Sequence, residues 1–111
     1  MVRRYIPEAG DIVWLHFDPQ AGHEQAGHRP ALVVSPSPYN SKTGLMLCCP
    51  ITTQIKGYPF EVLIAGKRAS AVLSDQIKSL DWAARKAGPK GKVSPSELAQ
   101  VRKKASALIG K

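Results

Sequence analysis

The feature that most constrains the fold of this chain is a series of short apolar runs in its N-terminal two thirds. The runs occupy residues 12–17, 31–35, 45–49, 60–64 and 71–74, and segments rich in Gly, Pro, Asn and Asp separate them. Apolar runs of this length between turn-forming segments are typical of antiparallel strands. The spacing predicts a small, strongly bent antiparallel sheet.

The C-terminal part of the chain predicts one helix, from Pro95 to about Ile109. Ser94 is a good N-cap, proline suits the first helical position, and Glu97 completes a capping box. Gly110 can end the helix. We expect Arg102 and Lys103 to face solvent and an apolar stripe to pack on the sheet. The stripe comprises Leu98, Val101, Ala105, Leu108 and Ile109.

Two segments have a weaker pattern. Residues 36–44 contain two prolines, an asparagine and a glycine, which predicts a loop. Residues 79–87 predict a strand that ends in a helical turn, and we expect Gly88-Pro89 to break it. With 111 residues, the chain is expected to form one domain spanning residues 1–111.

The chain is strongly basic, which indicates a polyanionic partner. The chain has sixteen Lys and Arg and eight Asp and Glu, so its formal charge is +8. A basic protein that its charge merely keeps soluble is the alternative.

Cysteine usage and hydropathy indicate a protein of the reducing cytoplasm. Cys48 and Cys49 are adjacent, so on a strand they point to opposite faces and cannot easily bridge or form a metal site. We therefore expect two ordinary small apolar residues. No run approaches the roughly 18 apolar residues of a membrane span, and the N-terminus lacks the apolar stretch of a secretory signal. We expect no metal site and no cofactor.

Residues 22–30 bring an acid, two imidazoles and a guanidinium together directly before the second apolar run. Cleaving RNA without a metal requires a base, a donor to the phosphate and an acid for the leaving oxygen. The residue types required are present in Glu24, His28, Arg29 and Thr52. This set suggests a site for a phosphodiester.

Each of these residues also has a simpler interpretation. Glu24 in a Gly-rich loop can be a solvated or turn-capping residue, and Arg29 can form an ordinary salt bridge. Asp75 and Gln76 at a strand end can read a base edge or merely cap a turn. Trp14 and Trp82 are candidates for base stacking, although packing in a core or interface is favoured by residue type.

A longer pattern runs along nearly the whole chain. It comprises residues 22–31, with the pattern Gly-His-Glu-Gln-Ala-Gly-His-Arg-Pro-Ala, Pro50-Ile51-Thr52-Thr53, residues 56–62 and 71–79, and Trp82. On these residues the sequence resembles the MazF/PemK toxin family.

This resemblance implies a mainly β fold, an SH3-like small β-barrel with a C-terminal α-helix, assembled as a homodimer. It implies a ribosome-independent endoribonuclease that cuts single-stranded mRNA at short motifs and leaves 2′,3′-cyclic phosphate and 5′-hydroxyl ends. Because no metal-ligand cluster is visible in the sequence, we expect this endoribonuclease to be metal-independent. It also implies a MazE-like acidic antitoxin as partner.

The resemblance assigns roles to individual positions. Arg29 and Thr52 are the expected catalytic pair, with Glu24 as a proposed base or orienting group. The residues expected to line the RNA groove are His28, Asn40, Thr53, Lys56, Asp75 and Gln76.

Two other functions remain open from the sequence. The same barrel occurs in CcdB-type gyrase poisons, which depend on a C-terminal tryptophan that the segment 107–111 lacks. A catalytically silent RNA-binding module would need only the basic charge.

Overall fold

The computed structural model describes residues 5–17, 27–66 and 68–110. These residues form seven strands, two α-helices and one short 3₁₀ helix. In chain order the elements are β1 (Asp11–His16), β2 (His28–Val33), α1 (Ser37–Thr43), β3 (Leu45–Thr52), β4 (Glu61–Ile64), β5 (Ser70–Leu73), the 3₁₀ helix (Ser74–Gln76), β6 (Lys78–Asp81), β7 (Gly88–Lys92) and α2 (Pro95–Ile109).

The strands form a curled antiparallel sheet in the order β4-β5-β3-β2-β1-β7. The long strand β3 causes the curl, because β6 pairs with its first half and β5 with its last two residues, Ile51 and Thr52. Strand β2 pairs with β3 through Ala31 and Pro50. The predicted bent antiparallel sheet with a C-terminal helix is therefore confirmed.

Two apolar clusters form the core. Alternate residues of each strand point to opposite faces, so every second side chain of β1 enters the core. Val13, Leu15 and Phe17 of the first run are buried, whereas the residues between them face outward. Cys48 lies in one cluster and Cys49 in the other, which confirms that both are buried apolar residues on opposite faces. Burial raises the pKa of each thiol to about 12.

The C-terminal helix begins with the predicted capping box and is held against the sheet. The Glu97 carboxylate accepts hydrogen bonds from the backbone N–H of Ser94 and of Ala65, both at 2.8 Å. These two bonds lower the pKa of Glu97. Arg102 and Lys103 are exposed, as expected, and the Arg102 guanidinium also donates to the Val34 carbonyl at 2.6 Å.

Only the middle of the predicted apolar stripe of α2 is buried. Val101 and Ala105 are 0% and 5% exposed, whereas Leu108 and Ile109 are 52% and 77% exposed. Neither of the two described helices is long and apolar enough to span a bilayer.

Two elements differ from the sequence prediction. Residues 37–43, expected as a loop, form helix α1, which has proline within its first two positions and ends at Gly44 with φ 74°. Gly88-Pro89 follows the last turn of segment 79–87, as expected, but it also begins the edge strand β7, which the sequence did not predict and in which Pro89 pairs with Val13 of β1. The strand predicted at the start of segment 79–87 is confirmed as the end of β6, and a turn follows it.

The edge strand β7 is fastened to β1 by Asp11. Its carboxylate accepts hydrogen bonds from the Tyr5 hydroxyl at 2.6 Å and from Lys92 Nζ at 2.7 Å, and from the Glu8 N–H at 3.1 Å. Burial alone would raise the pKa of Asp11, but these hydrogen bonds and the charge of Lys92 outweigh it, so the pKa is lowered.

We therefore expect Asp11→Asn to destabilise the fold by about 1–3 kcal/mol near neutral pH. Because the pKa of Asp11 is lowered on folding, its contribution is complete above the ordinary carboxyl value of 3.8 and is lost as the pH falls through the folded value. Urea unfolding at neutral pH and at about pH 3 measures this difference. Glu8→Gln, an exposed acid beside the network, is the matched control. An Asp11→Asn penalty that stays constant across this pH range would contradict the assignment.

Candidate active site

The end of strand β3 carries the two predicted site threonines in different environments. Thr52 is the last residue of the strand and is 6% exposed, whereas Thr53 is exposed. The Thr52 hydroxyl oxygen accepts a hydrogen bond from the Gln54 N–H at 3.0 Å, which turns the chain out of the sheet. A hydroxyl whose oxygen accepts this bond keeps its proton for another acceptor.

A cleft of about 330 Å³ opens beside Thr52. We call it the Thr52 cleft, and it brings together four of the predicted site residues, Thr52, Lys56, Asp75 and Gln76. Gln54, Tyr58, Phe60, Glu61 and Leu73 complete its lining. The elements that form it are the end of β3, the following loop, the start of β4 and the 3₁₀ helix.

The loop between β3 and β4 forms one wall of the Thr52 cleft, and Glu61 holds it. The Glu61 carboxylate accepts hydrogen bonds from the backbone N–H of Lys56 at 3.1 Å and of Gly57 at 2.9 Å. Gly57 has φ 80°, a left-handed conformation that favours glycine at this turn. From α2, Lys104 Nζ donates to the carbonyl oxygen of Pro59 at 2.5 Å.

The opposite wall comes from the 3₁₀ helix that follows β5. The Ser74 N–H donates to the Phe60 carbonyl at 3.1 Å, so the helix is tied to the loop facing it. Asp75 is exposed and Gln76 is half-buried, and both line the cleft. A carboxylate and an amide that share one cleft can read the edge of a base.

A second cleft, of about 720 Å³, contains Arg29 and we call it the Arg29 cleft. The predicted residues His28, Arg29 and Thr53 all line it, and Arg68 and Lys90 add two further cations. Apolar lining comes from Ile12, Trp14, Pro30, Ile51 and Ile64. This combination of cations and apolar surface suits a flexible polyanion that also carries flat or apolar groups.

The end of β3 contributes residues to both clefts. The pairing of β2 with β3 ends at Ala31 opposite Pro50, and beyond that point Ile51 and Thr52 of β3 pair with β5. Arg29 lines one cleft with Thr53, and Thr52 lines the other. The structure therefore places the two members of the expected catalytic pair in neighbouring clefts and not in one.

Asn40 does not join the other predicted site residues. It is 0% exposed, and its amide nitrogen donates to the carbonyl oxygens of Pro7 at 2.8 Å and Ser35 at 3.1 Å. Its amide oxygen accepts from the Ser35 hydroxyl at 2.6 Å. A buried amide with these partners cannot reach a ligand, so the expected groove role is corrected to a structural one.

The two tryptophans proposed for base stacking differ in their exposure. Trp82 is buried, and its indole N–H donates to the Asn40 carbonyl at 2.9 Å, so core packing is confirmed there. Trp14 is 37% exposed. Glu24 lies outside the described residues.

Within the described ranges, no group of three or more His, Cys, Asp or Glu residues is placed to hold a metal ion.

Comparison with known proteins agrees with the resemblance seen in the sequence. Residues 8–109 match a family described as a PemK-like, MazF-like toxin of type II toxin-antitoxin systems. The chain belongs to this family. The endoribonuclease toxin MazF of Escherichia coli K12 is 56% identical over 111 residues, which cover 99% of this chain and 100% of the relative.

Solved structures of MazF proteins are similar to this chain in fold. MazF from Deinococcus radiodurans has a TM-score of 0.93 and 50% identity, covering 97% of this chain and all of that one. A MazE-MazF complex from the same organism has a TM-score of 0.85 and 44% identity, covering 96% and 98%. The region matched by the family contains both clefts.

Sequence reasoning missed several residues of these clefts. Tyr58 and Glu61 lie within a segment that carried the resemblance, so their position was a usable signal. Arg68 and Lys90 come from other parts of the sheet, and no local pattern distinguishes them from ordinary surface cations.

Proposed function

We propose that this protein is a sequence-specific, ribosome-independent endoribonuclease that cuts single-stranded mRNA at a short motif in the cytoplasm. Membership in the MazF-like toxin family supports this function, as does the name endoribonuclease carried by relatives that align along most of this chain. A formal charge of +8 fits a polyanionic substrate.

The observation that carries the proposal is that the end of β3 contributes residues to both clefts. Thr52, Lys56, Asp75 and Gln76 line one cleft, and Arg29 lines the other. A single strand crossing this point would have its scissile phosphate beside Arg29 and Thr52 and a neighbouring base beside Asp75 and Gln76.

The proposed reaction begins with attack of the substrate 2′-hydroxyl on the adjacent phosphorus. The oxygen–phosphorus bond to the 5′-oxygen of the next nucleotide breaks, which leaves a 2′,3′-cyclic phosphate and a 5′-hydroxyl. Arg29 offers a bidentate fork to the phosphate oxygens, and the Thr52 hydroxyl donates to the same group. Glu24 is proposed as the base or an orienting group.

A MazE-like acidic antitoxin is the proposed inhibitor, and a homodimer the proposed assembly. MazE-MazF complexes are known for the Deinococcus relative. The Arg29 cleft combines cations with an apolar lining, which suits an acidic segment with apolar anchors. Leu63, Leu108 and Ile109, exposed at 63%, 52% and 77%, supply apolar surface for a second copy.

The proposed function is tested by incubating a long RNA with the purified protein and sequencing the new 5′-hydroxyl ends. We expect cuts at one short recurring motif, without ribosomes. Absence of cleavage, or cleavage that leaves 5′-phosphate ends, would contradict the proposal. A gyrase poison would instead trap DNA breaks and leave the RNA intact.

The loop wall of the Thr52 cleft gives a further prediction. Glu61→Ala removes the acceptor that fixes Lys56 and Gly57, so we expect about a tenfold loss of kcat/KM, mostly through KM. Glu61→Gln retains one acceptor oxygen and should recover part of the loss. Steady-state cleavage of a fluorogenic RNA oligonucleotide measures both variants.

Two neighbouring lysines provide a charge-matched control for the same loop. Lys104→Ala removes the hydrogen bond to Pro59 and should resemble Glu61→Ala, whereas Lys103→Ala removes the same charge one residue earlier. Equal effects of Lys103→Ala and Lys104→Ala would mean that net charge, and not loop position, determines the activity.

A further inference from the structure

Three aromatic rings and a cation lie next to one another on the outer face of the sheet. On β1, Trp14 and His16 point outward between buried neighbours, and on β2 His28 is exposed and pairs with His16. The Trp14 and His28 rings are stacked, with centroids 5.3 Å apart, and the His16 and His28 rings are 4.7 Å apart. Lys90 Nζ from β7 lies 5.4 Å from the centre of the Trp14 ring. We call this set the aromatic track.

The aromatic track connects two concave regions of the surface. Trp14, His28 and Lys90 line the Arg29 cleft. His16 lines a separate cleft of about 460 Å³ that also contains Arg85 and Lys86. Arg85 donates to the His16 carbonyl at 2.9 Å, which fixes this end of the track. Cations therefore lie at both ends of a row of rings.

Stabilisation of the β1–β2 hairpin is the simplest role for such cross-strand rings. That role does not account for the cations at both ends or for the opening of the row into the cleft that contains Arg29. Single-stranded nucleic acids are bound by this combination, because each base has a face that stacks on an aromatic ring while cations follow the phosphates.

We propose that the aromatic track is a stacking subsite for nucleotides of single-stranded RNA that flank the cleaved bond. This deepens the proposed function and rests on it for the identity of the nucleic acid. The track extends the substrate path from the Arg29 cleft across β2 and β1 to His16. Its stacking is independent of base identity, so it supplies affinity and not the recognised motif.

Tryptophan fluorescence tests the subsite directly. The chain has two tryptophans, of which Trp14 is 37% and Trp82 is 6% exposed, so surface quenching reports mainly on Trp14. The probe is a 2′-O-methyl RNA oligonucleotide of about 12 nucleotides, which the protein cannot cut by the proposed route. We expect saturable quenching in the wild type and its loss in Trp14→Phe, with binding retained because phenylalanine still stacks.

A second measurement follows the affinity for the same probe. Trp14→Ala should weaken binding about tenfold. Tyr39→Ala, which removes an aromatic side chain of similar exposure, 40%, from helix α1, should leave binding unchanged. Thermal unfolding establishes whether each variant is folded. If Trp14→Ala is unfolded, Lys90→Ala replaces it in the binding assay, with Lys103→Ala as its charge-matched control.

The outcomes separate this inference from the proposed function. Failure of the wild type to cut any RNA would overturn the proposed function, whereas the quenching assay needs no cleavage. Cleavage by the wild type without Trp14 quenching, or equal binding by Trp14→Ala and Tyr39→Ala, would overturn the subsite. Quenching by an acidic peptide and not by the oligonucleotide would also overturn it and would assign the track to protein binding.

Discussion

Arg29→Ala is expected to reduce RNA cleavage by about a hundredfold to a thousandfold, the usual cost of removing one donor to a developing phosphate charge. Arg29 lies on strand β2, where it pairs with Leu15 of β1, and it lines the Arg29 cleft. A side chain in this position can serve the substrate while the buried face of the strand, Ala31 to Val33, maintains the core. The fold should therefore survive the substitution.

The measurement compares the cleavage rates and thermal unfolding of the wild type and two Arg29 variants. Arg29→Lys keeps the charge but loses the planar fork, so we expect it to recover only a small part of the rate. Lys42→Ala removes one charge from exposed helix α1 and controls for the change in net charge. Cleavage at the wild-type rate by folded Arg29→Ala would contradict the assignment, as would a loss of stability that accounts for the lost activity.

The predictable part of the fold is the part built from alternating apolar residues. β1 follows directly from its pattern, because Val13 and Leu15 must face the core. Helix α1 was missed because Pro36 and Pro38 suggest a loop, although proline is compatible with a first helical turn. Strand β7 has no apolar pattern, and its pairing depends on β1 and on the contact between Asp11 and Lys92.

In the candidate site, residues that are close in the sequence could be predicted together, whereas residues that only the fold brings together could not. Thr52 and Lys56 lie close together in the chain, and a single cleft contains both. Asn40 was misassigned because a polar residue type carries no information about burial, and its partner Pro7 is 33 residues away. Cations such as Arg68 and Lys90 become part of a cleft only when the sheet curls.

Substitution of a single substrate atom should have an even larger effect than Arg29→Ala. In the proposed reaction the nucleophile is the 2′-hydroxyl of the nucleotide on the 5′ side of the cut bond. A 2′-deoxy nucleotide at that position removes the nucleophile, so cleavage at that bond should fall below detection. The matched control is a 2′-deoxy nucleotide on the 3′ side of the same bond, which leaves the nucleophile in place and should be cut at close to the normal rate.

The size of this effect follows from what the 2′-hydroxyl contributes. An attacking group held next to the phosphorus acts at an effective concentration of about 10⁵ M or more, which water from solvent cannot match. In the proposed route Arg29 and Thr52 stabilise the charge on the phosphate and Glu24 handles the proton. This route needs no metal, so EDTA should leave the rate unchanged. Gel analysis of end-labelled chimeric oligonucleotides, with and without EDTA, measures both effects. Cleavage at the substituted bond would mean that water is the nucleophile. Activity that is lost in EDTA and restored by magnesium would mean that a metal ion, and not Arg29 and Thr52, stabilises the charge on the phosphate.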